Sequence, residues 1–110
     1  VSAVTTHVLD TALGRPAVGV PVRLERVDGD TAEVLAIAVT DSDGRIRDFG
    51  LDRLDPGGYR LVFGIAYYAA TTGQDYFLSA VDITFTPADS GHHHVPLLLS
   101  PFACSVYRGS

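Results

Sequence analysis

A chain of 110 residues with 46% hydrophobic and 19% charged residues is sized for one domain around a single core and is not a disordered segment. Its formal net charge is −5, and its 8 Lys and Arg residues form no basic run, which argues against nucleic acid and against an anionic membrane surface as partners. One cysteine, Cys104, excludes an internal disulfide and a cysteine-based zinc site, and no apolar stretch approaches the ~18 residues of a membrane span.

In chain order, alternating patterns dominate. Val4 to Asp10 reads as a first strand with Val4, Thr6 and Val8 on one face and Thr5, His7 and Leu9 on the other. Thr11 to Ala17 is read as a connection interrupted by Gly14 and Pro16. Val20 to Val27 and Glu33 to Thr40 form a hairpin around the Asp28-Gly29-Asp30 turn. The turn dipeptide Asp43-Gly44 delivers Arg45 to a short strand near Ile46. Its acidic spacing does not fit a calcium loop. Leu51 to Gly58 is an irregular loop, and Gly58 to Ile65 is a strand. Ala66 to Gly73 lacks strand alternation and predicts the one helix, stopped by Gly73. Ser79 to Thr86 is a strand, and His92 to Leu99 with Phe102 to Arg108 make a closing hairpin. Seven to eight short strands with one short helix predict an all-β, antiparallel β-sandwich. Residues 1–110 are expected to form one domain.

The closing stretch carries most of the titratable groups. Alternation places His92, His94, Pro96 and Leu98 on one face and His93, Val95, Leu97 and Leu99 on the other. The second set is nearly all apolar and is the core face. His94 and, by the same argument, His7 therefore point outward, while His93 is expected at the edge of the core with one ring nitrogen hydrogen-bonded. Outward Leu9, Pro96 and Leu98 are too apolar for a fully solvated face, so this face is expected to meet another subunit or a ligand.

Several motifs taken together resemble the 5-hydroxyisourate hydrolases, the enzyme branch of the transthyretin-like proteins. They are Thr6-His7-Val8-Leu9-Asp10 with Gly14-Arg15-Pro16-Ala17, the Asp43-Gly44-Arg45 turn, His92-x-His94-Val95-Pro96-Leu97-Leu98-Leu99-Ser100-Pro101, and the terminal Tyr107-Arg108-Gly109-Ser110. The resemblance spans essentially the whole chain, and the terminal tetrapeptide is its most specific part. It implies a transthyretin-like sandwich and assembly as a homotetramer, a dimer of dimers with active sites at the dimer–dimer interface. It also implies hydrolytic opening of the six-membered ring of 5-hydroxyisourate, the unstable product of urate oxidation. The family's catalytic groups fall on His7, Arg45, His94 and Ser110. Arg45, Tyr107, His92, Arg108 and Gly109 are expected to bind the substrate. His93 stands where the family commonly has Tyr, the Asp75 to Ser79 stretch lacks a Phe-Pro step, and Phe102-Ala103-Cys104 is a looser version of an aromatic-rich stretch.

The chemistry agrees with this assignment. Opening a cyclic amide with water takes a base, a donor for the developing oxyanion and a proton source for the leaving nitrogen. His7 and His94 can divide the base and acid roles, Arg45 can hold two acceptors of a flat oxidised purine, and Ser110 can add a hydrogen bond. Either histidine fits either role. No Ser-His-Asp arrangement is evident, so direct attack by water is expected. Three alternatives are weighed against this reading. His7, His92 and His94 could form a zinc set, but no further ligand has a fixed spacing, so neither a metal nor another cofactor is expected. A non-catalytic carrier of small aromatic ligands would need an apolar tunnel with few reacting groups. An interaction module would leave outward histidines at both ends of the chain without explanation. Cys104 is expected as a small, at least half-buried hydrophobe. The chain begins at Val1 and not Met, which fits removal of an upstream segment; the expected compartment is the cytoplasm, or the periplasm if that segment carried an address.

Overall fold

Apolar side chains at every second position can be buried only if strands stack face to face, and the chain does this in two sheets. The computed structural model describes residues 2–110. Its elements in order are β1 (Val4–Asp10), β2 (Arg15–Pro16), β3 (Pro21–Asp28), β4 (Thr31–Val39), β5 (Arg45–Ile46), β6 (Gly58–Phe63), α1 (Ile65–Thr72), β7 (Val81–Phe85), β8 (His93–Leu99) and β9 (Cys104–Val106). One sheet runs β2-β1-β8-β9 with β5 also on β1, and the other runs β4-β3-β6-β7. β2 and β5 lie end to end along one edge of β1, opposite Leu9–Asp10 and Thr6–His7 respectively. The predicted all-β sandwich with one short helix is what forms. No helix among the described residues is long and apolar enough to cross a membrane.

One pairing departs from the antiparallel expectation. β1 and β8 run parallel, from Val4 opposite His93 to Asp10 opposite Leu99. Parallel neighbours need a long crossover, and almost the whole chain supplies it here. No hairpin constrains two strands this far apart in sequence, so alternation within each strand carries no information about their relative direction.

Inward side chains of both sheets make one core. Val4 and Val8 of β1, Leu97 and Leu99 of β8, Val22 and Leu24 of β3, and Leu61 and Phe63 of β6 are each at most 1% exposed. Each such aliphatic side chain contributes about 1.5–3 kcal/mol on leaving water. A register shift between Leu24 and Glu25 turns both inward. Arg23 and Arg60 then neutralise the Glu25 carboxylate at 2.7 Å each.

The helix starts one residue earlier than predicted. It ends at Gly73, whose φ of 66° closes the last turn. It is fastened to the end of β1 through the buried Asp10. Tyr68 Oη donates to Asp10 Oδ2 at 2.6 Å, Gln74 Nε2 donates to the same oxygen at 3.0 Å, and the Leu13 N–H donates to Oδ1 at 2.9 Å. Burial opposes ionisation of Asp10, but the hydrogen bonds from Tyr68, Leu13, Gln74 and Ala12 outweigh it and hold the carboxyl below its ordinary value.

Other boundaries differ in detail. The connection Thr11 to Ala17 contains β2, β7 begins at Val81, and β8 begins at His93. β9 covers only Cys104–Val106 because the preceding residues close a turn. The Ser100 N–H donates to the Ala103 carbonyl at 2.9 Å, and the Pro101 carbonyl accepts from Phe77 and Leu78. All three residues of this edge strand are exposed, so Cys104 is not the buried hydrophobe expected.

Candidate active site

The outer face of the first sheet gathers the site by register. His7 lies opposite Arg45 on β5 and opposite Pro96 on β8, and Thr5 lies opposite His94. His7 and His94 are thus diagonal neighbours on one face, close enough for long side chains to interact. A bridge from His94 to Gly109 brings the end of the chain alongside. The resulting cleft, of about 300 Å³, is lined by Thr5, Thr6, Arg45, Ile46, Arg47, His92, His94 and Ser110.

Arg45 is delivered by a turn whose geometry is over-determined. Asp41 Oδ1 accepts from the N–H groups of Asp43 at 2.9 Å and Arg45 at 3.0 Å. These two bonds, the Arg45 bond foremost, hold the Asp41 carboxyl below its ordinary value against the opposing effect of burial. Gly44 has φ +74°, and a Cβ there would stand 2.4 Å from the Val8 carbonyl oxygen, so only glycine lets the turn lie against β1. Among the described residues no carboxylate pairs with the Arg45 guanidinium, which leaves its donors to the cleft. The two exposed carboxylates of the turn, Asp41 and Asp43, pair instead with Arg47.

The same turn orients His7. Its Nε2 lies 2.9 Å from the Asp43 carbonyl oxygen, which can only accept. Nε2 therefore carries a proton, and the neutral ring has its lone pair on Nδ1. His7 flanks the cleft and is not part of its wall.

His94 is half-buried in that wall. Burial lowers its pKa, and the positive charge of Arg45 and the neighbouring His92 and His7 add to the effect, against a hydrogen bond with the Thr5 backbone that raises it. The ring is therefore neutral near pH 7. Thr5 Oγ1 lies 2.8 Å from His94 Nδ1 and 2.8 Å from His92 Nε2, and the two rings stack at 6.4 Å between centroids. On its other side His94 meets the backbone of Gly109, whose N–H donates to the His94 carbonyl at 2.7 Å. A Cβ on Gly109 would stand 2.6 Å from His94 Cδ2, so glycine is needed here for space.

Among the predicted site residues the structure thus brings together Arg45, His92, His94 and Ser110, with His7 alongside and Gly109 against the His94 ring. Tyr107 and Arg108 lie elsewhere. They line a second, mostly apolar cavity of about 230 Å³ with Ile83, Phe85 and His93, and His94 borders both spaces. His93 is buried as predicted, but it lacks the expected hydrogen bond. Its Nδ1 has no partner, and its Nε2 stands 3.8 Å from Asp89 Oδ1. Its register partner is the apolar Val4, which offers it nothing. Among the described residues no three His, Cys, Asp or Glu side chains are grouped to hold a metal ion. Thr5 and Thr6 enter the site without having been picked out as site residues. Alternation puts Thr5 on the face of His7, but only the parallel register shows which residue it meets.

A two-sheet sandwich with one short helix, and a histidine- and arginine-lined cleft on one outer face, points to the transthyretin-like class of proteins. Residues 4–109 match the HIUase/Transthyretin family, and the chain belongs to that family. It is 48% identical to the 5-hydroxyisourate hydrolase of Deinococcus radiodurans over 96% of this chain and 94% of that protein. Among solved structures, the 5-hydroxyisourate hydrolase of Klebsiella pneumoniae superposes with a TM-score of 0.87 at 38% identity, covering 99% of this chain and 100% of that one. Sea bream transthyretin in complex with thyroxine superposes with a TM-score of 0.90 at 26% identity, over 97% of this chain and 94% of that one.

Proposed function

We propose that the chain hydrolyses 5-hydroxyisourate to 2-oxo-4-hydroxy-4-carboxy-5-ureidoimidazoline in urate degradation, with the His94–Arg45 cleft as its active site. The observation that carries the site assignment is the convergence of Arg45, His94 and Ser110 on one cleft from three separate parts of the chain. The relatives named above as hydrolases support the choice of substrate.

The residues divide the reaction as follows. His94, neutral because of burial and Arg45, takes a proton from the attacking water at its Nε2. The oxygen of the water bonds to the ring carbonyl carbon, whose oxygen becomes an oxyanion. Arg45 holds two acceptors of the flat substrate and stabilises that charge with its unpaired guanidinium. Ser110 adds a hydroxyl donor. Collapse of the oxyanion breaks the bond from carbonyl carbon to ring nitrogen, and His7 donates the proton which that nitrogen takes up. In protonated His7 both nitrogens are donors, one to the Asp43 carbonyl and the other to the substrate. No step calls for a cofactor.

We further infer assembly as a homotetramer, a dimer of dimers that closes the cleft from solvent. Half-buried Leu9 and Leu98 on the outer face, and the exposed Val106 and Tyr107 at the β9 edge, supply apolar surface for such contacts. Tyr107 and Arg108, which line the neighbouring cavity, are then expected to complete a substrate site across the assembly.

The test is ultraviolet decay of freshly generated 5-hydroxyisourate, with His94→Ala and Arg45→Ala alongside. Decay accelerated by the natural protein and reduced at least about 100-fold in both variants supports the reading. Decay no faster than the spontaneous rate refutes it. Chelator is expected to leave the rate unchanged. Sedimentation showing only monomer would sink the tetramer.

A further inference from the structure

A single hydroxyl stands between two imidazoles in the cleft, and it has one proton to give. Thr5 Oγ1 is 2.8 Å from His94 Nδ1 and 2.8 Å from His92 Nε2. If both contacts are hydrogen bonds, the hydroxyl donates to one ring and accepts from the other. The tautomers of the two histidines are then not independent. When Thr5 donates to His92 Nε2, it accepts from His94 Nδ1–H, and the lone pair of His94 lies on Nε2. When His92 Nε2 carries a proton, it donates to Thr5, and the hydroxyl must turn toward His94 Nδ1. The proton of His94 then sits on Nε2, where a base needs a lone pair.

We propose that Thr5 is a positioning residue that makes His94 a base at Nε2, and that protonation of His92 switches this base off through the Thr5 hydroxyl. The proposal rests on the reading of His94 as the group that takes the proton of water. No proton crosses Thr5 in the reaction itself. The proton of water goes to His94 Nε2, and Nδ1–H stays donated to Thr5 Oγ1, so the imidazolium forms without any group turning. Preorganisation of this kind keeps reorganisation out of the barrier.

The other groups around the pair do not supply this coupling. Arg45 on β5 and Arg47 just after it carry guanidinium groups, which donate hydrogen bonds and accept none. His7 on β1 is tied to the Asp43 carbonyl, Ser110 contributes a hydroxyl from the chain end, and Asp41 and Asp43 face Arg47. Among the described residues only Thr5 touches both rings through polar atoms. Its place in the fold is fixed by the parallel register that sets it opposite His94, one residue before β1 meets the turn strand at Thr6.

The experiment compares the natural protein with Thr5→Val, which keeps the shape and removes the hydroxyl, Thr5→Ser, which keeps the hydroxyl, and His92→Phe. We expect Thr5→Val to lower kcat about 10- to 100-fold with KM within about twofold, and Thr5→Ser to recover kcat to within about threefold. The acid limb of the kcat profile should lose its steepness in Thr5→Val and in His92→Phe, because one of two coupled titrations is gone. Nitrogen-15 spectra of the histidine rings at pH 8 should show His94 as the Nδ1–H tautomer in the natural protein and a mixture in Thr5→Val. Unchanged kcat and pH profile in Thr5→Val would overturn the proposal, as would a natural protein whose His94 is the Nε2–H tautomer. If no form hydrolyses 5-hydroxyisourate, the substrate assignment fails, and the ring spectra still decide whether Thr5 couples the two histidines.

Discussion

Gly109→Ala tests whether the end of the chain is shaped around His94. The added Cβ would lie 2.6 Å from His94 Cδ2, and 3.3 Å from both His94 Cγ and Pro96 Cγ, where ordinary contact begins at 3.4 Å. The ring or the terminal strand must therefore give way by about 0.8 Å. Pro96 is buried and paired with β1, so it cannot yield, and the movement falls on His94 or on residues 107–110. If the ring moves, its 2.8 Å contact with Thr5 stretches beyond a good hydrogen bond. If the terminus moves, Ser110 leaves the cleft. A misplacement near 1 Å costs about 100-fold in rate, or about 2.7 kcal/mol of barrier. We expect kcat to fall about 30- to 100-fold while the melting temperature shifts by less than about 3 °C, because Gly109 makes one bridge and buries nothing in the core. The rate is read from the decay of freshly generated 5-hydroxyisourate, and ring spectra of His94 show which part moved. A Gly109→Ala protein with half the natural kcat would refute the packing argument.

Three further outcomes follow from the same geometry. Gly44→Ala forces φ +74° on alanine and a Cβ 2.4 Å from the Val8 carbonyl, so it should cost about 2–3 kcal/mol and lower the melting temperature by about 10 °C or more; an unchanged melting temperature would count against the turn as drawn. Asp10→Asn turns an amide toward the donors of Tyr68 and Gln74 and should cost about 2–4 kcal/mol in urea denaturation at pH 7. Because the carboxyl of Asp10 is held below its ordinary value, its contribution is full above about pH 4 and is lost as pH falls through the lowered value. The gap between Asp10→Asn and the natural protein should therefore narrow at pH 3, and a constant gap would show that charge plays no part. Removing a positive neighbour by Arg45→Gln should raise the midpoint of His94 in an NMR titration, and a midpoint that falls or stays would sever the link between the two groups.

The histidine pair was legible because strand alternation needs no knowledge of the partner strand. His7 and His94 each fall opposite an apolar set in their own strand, and Arg45 follows a turn dipeptide that announces itself. What alternation cannot supply is register across the parallel β1–β8 pair, where partners stand 89 residues apart for Thr5 and His94. The hydroxyl between the imidazoles was therefore invisible, although the residue was on the correct face. His93 illustrates the opposite limit. Its burial followed from alternation, but the absence of any partner for Nδ1 depends on what the facing sheet brings to it, and there Ile83 and Phe85 are apolar. Cys104 and the short β9 were misjudged for a third reason. A turn closed by the Ser100 N–H on the Ala103 carbonyl leaves only three residues to pair, and an edge that short covers nothing.

The backbone alone does not choose between catalysis and carriage. The transthyretin that binds thyroxine superposes slightly better than the hydrolase, 0.90 against 0.87, although identity runs the other way, 26% against 38%. A fold shared this closely hosts either function, so the decision lies in the side chains of the outer face. A carrier of an apolar aromatic ligand gains from burying surface and loses by desolvating an unpaired cation such as Arg45. A hydrolase needs that cation unpaired, since a carboxylate partner would spend its field before the oxyanion forms. The Asp41–Asp43 turn meets this need by giving its carboxylates to backbone N–H groups and to Arg47, two residues beyond. Arg47→Ala should therefore lower kcat more than KM, by freeing the Asp41 and Asp43 carboxylates to draw Arg45 out of the cleft. A second substitution, Asp43→Asn, should restore part of the rate by removing one of those competitors. Loss without any recovery in the double variant would mean that Arg47 meets the substrate directly.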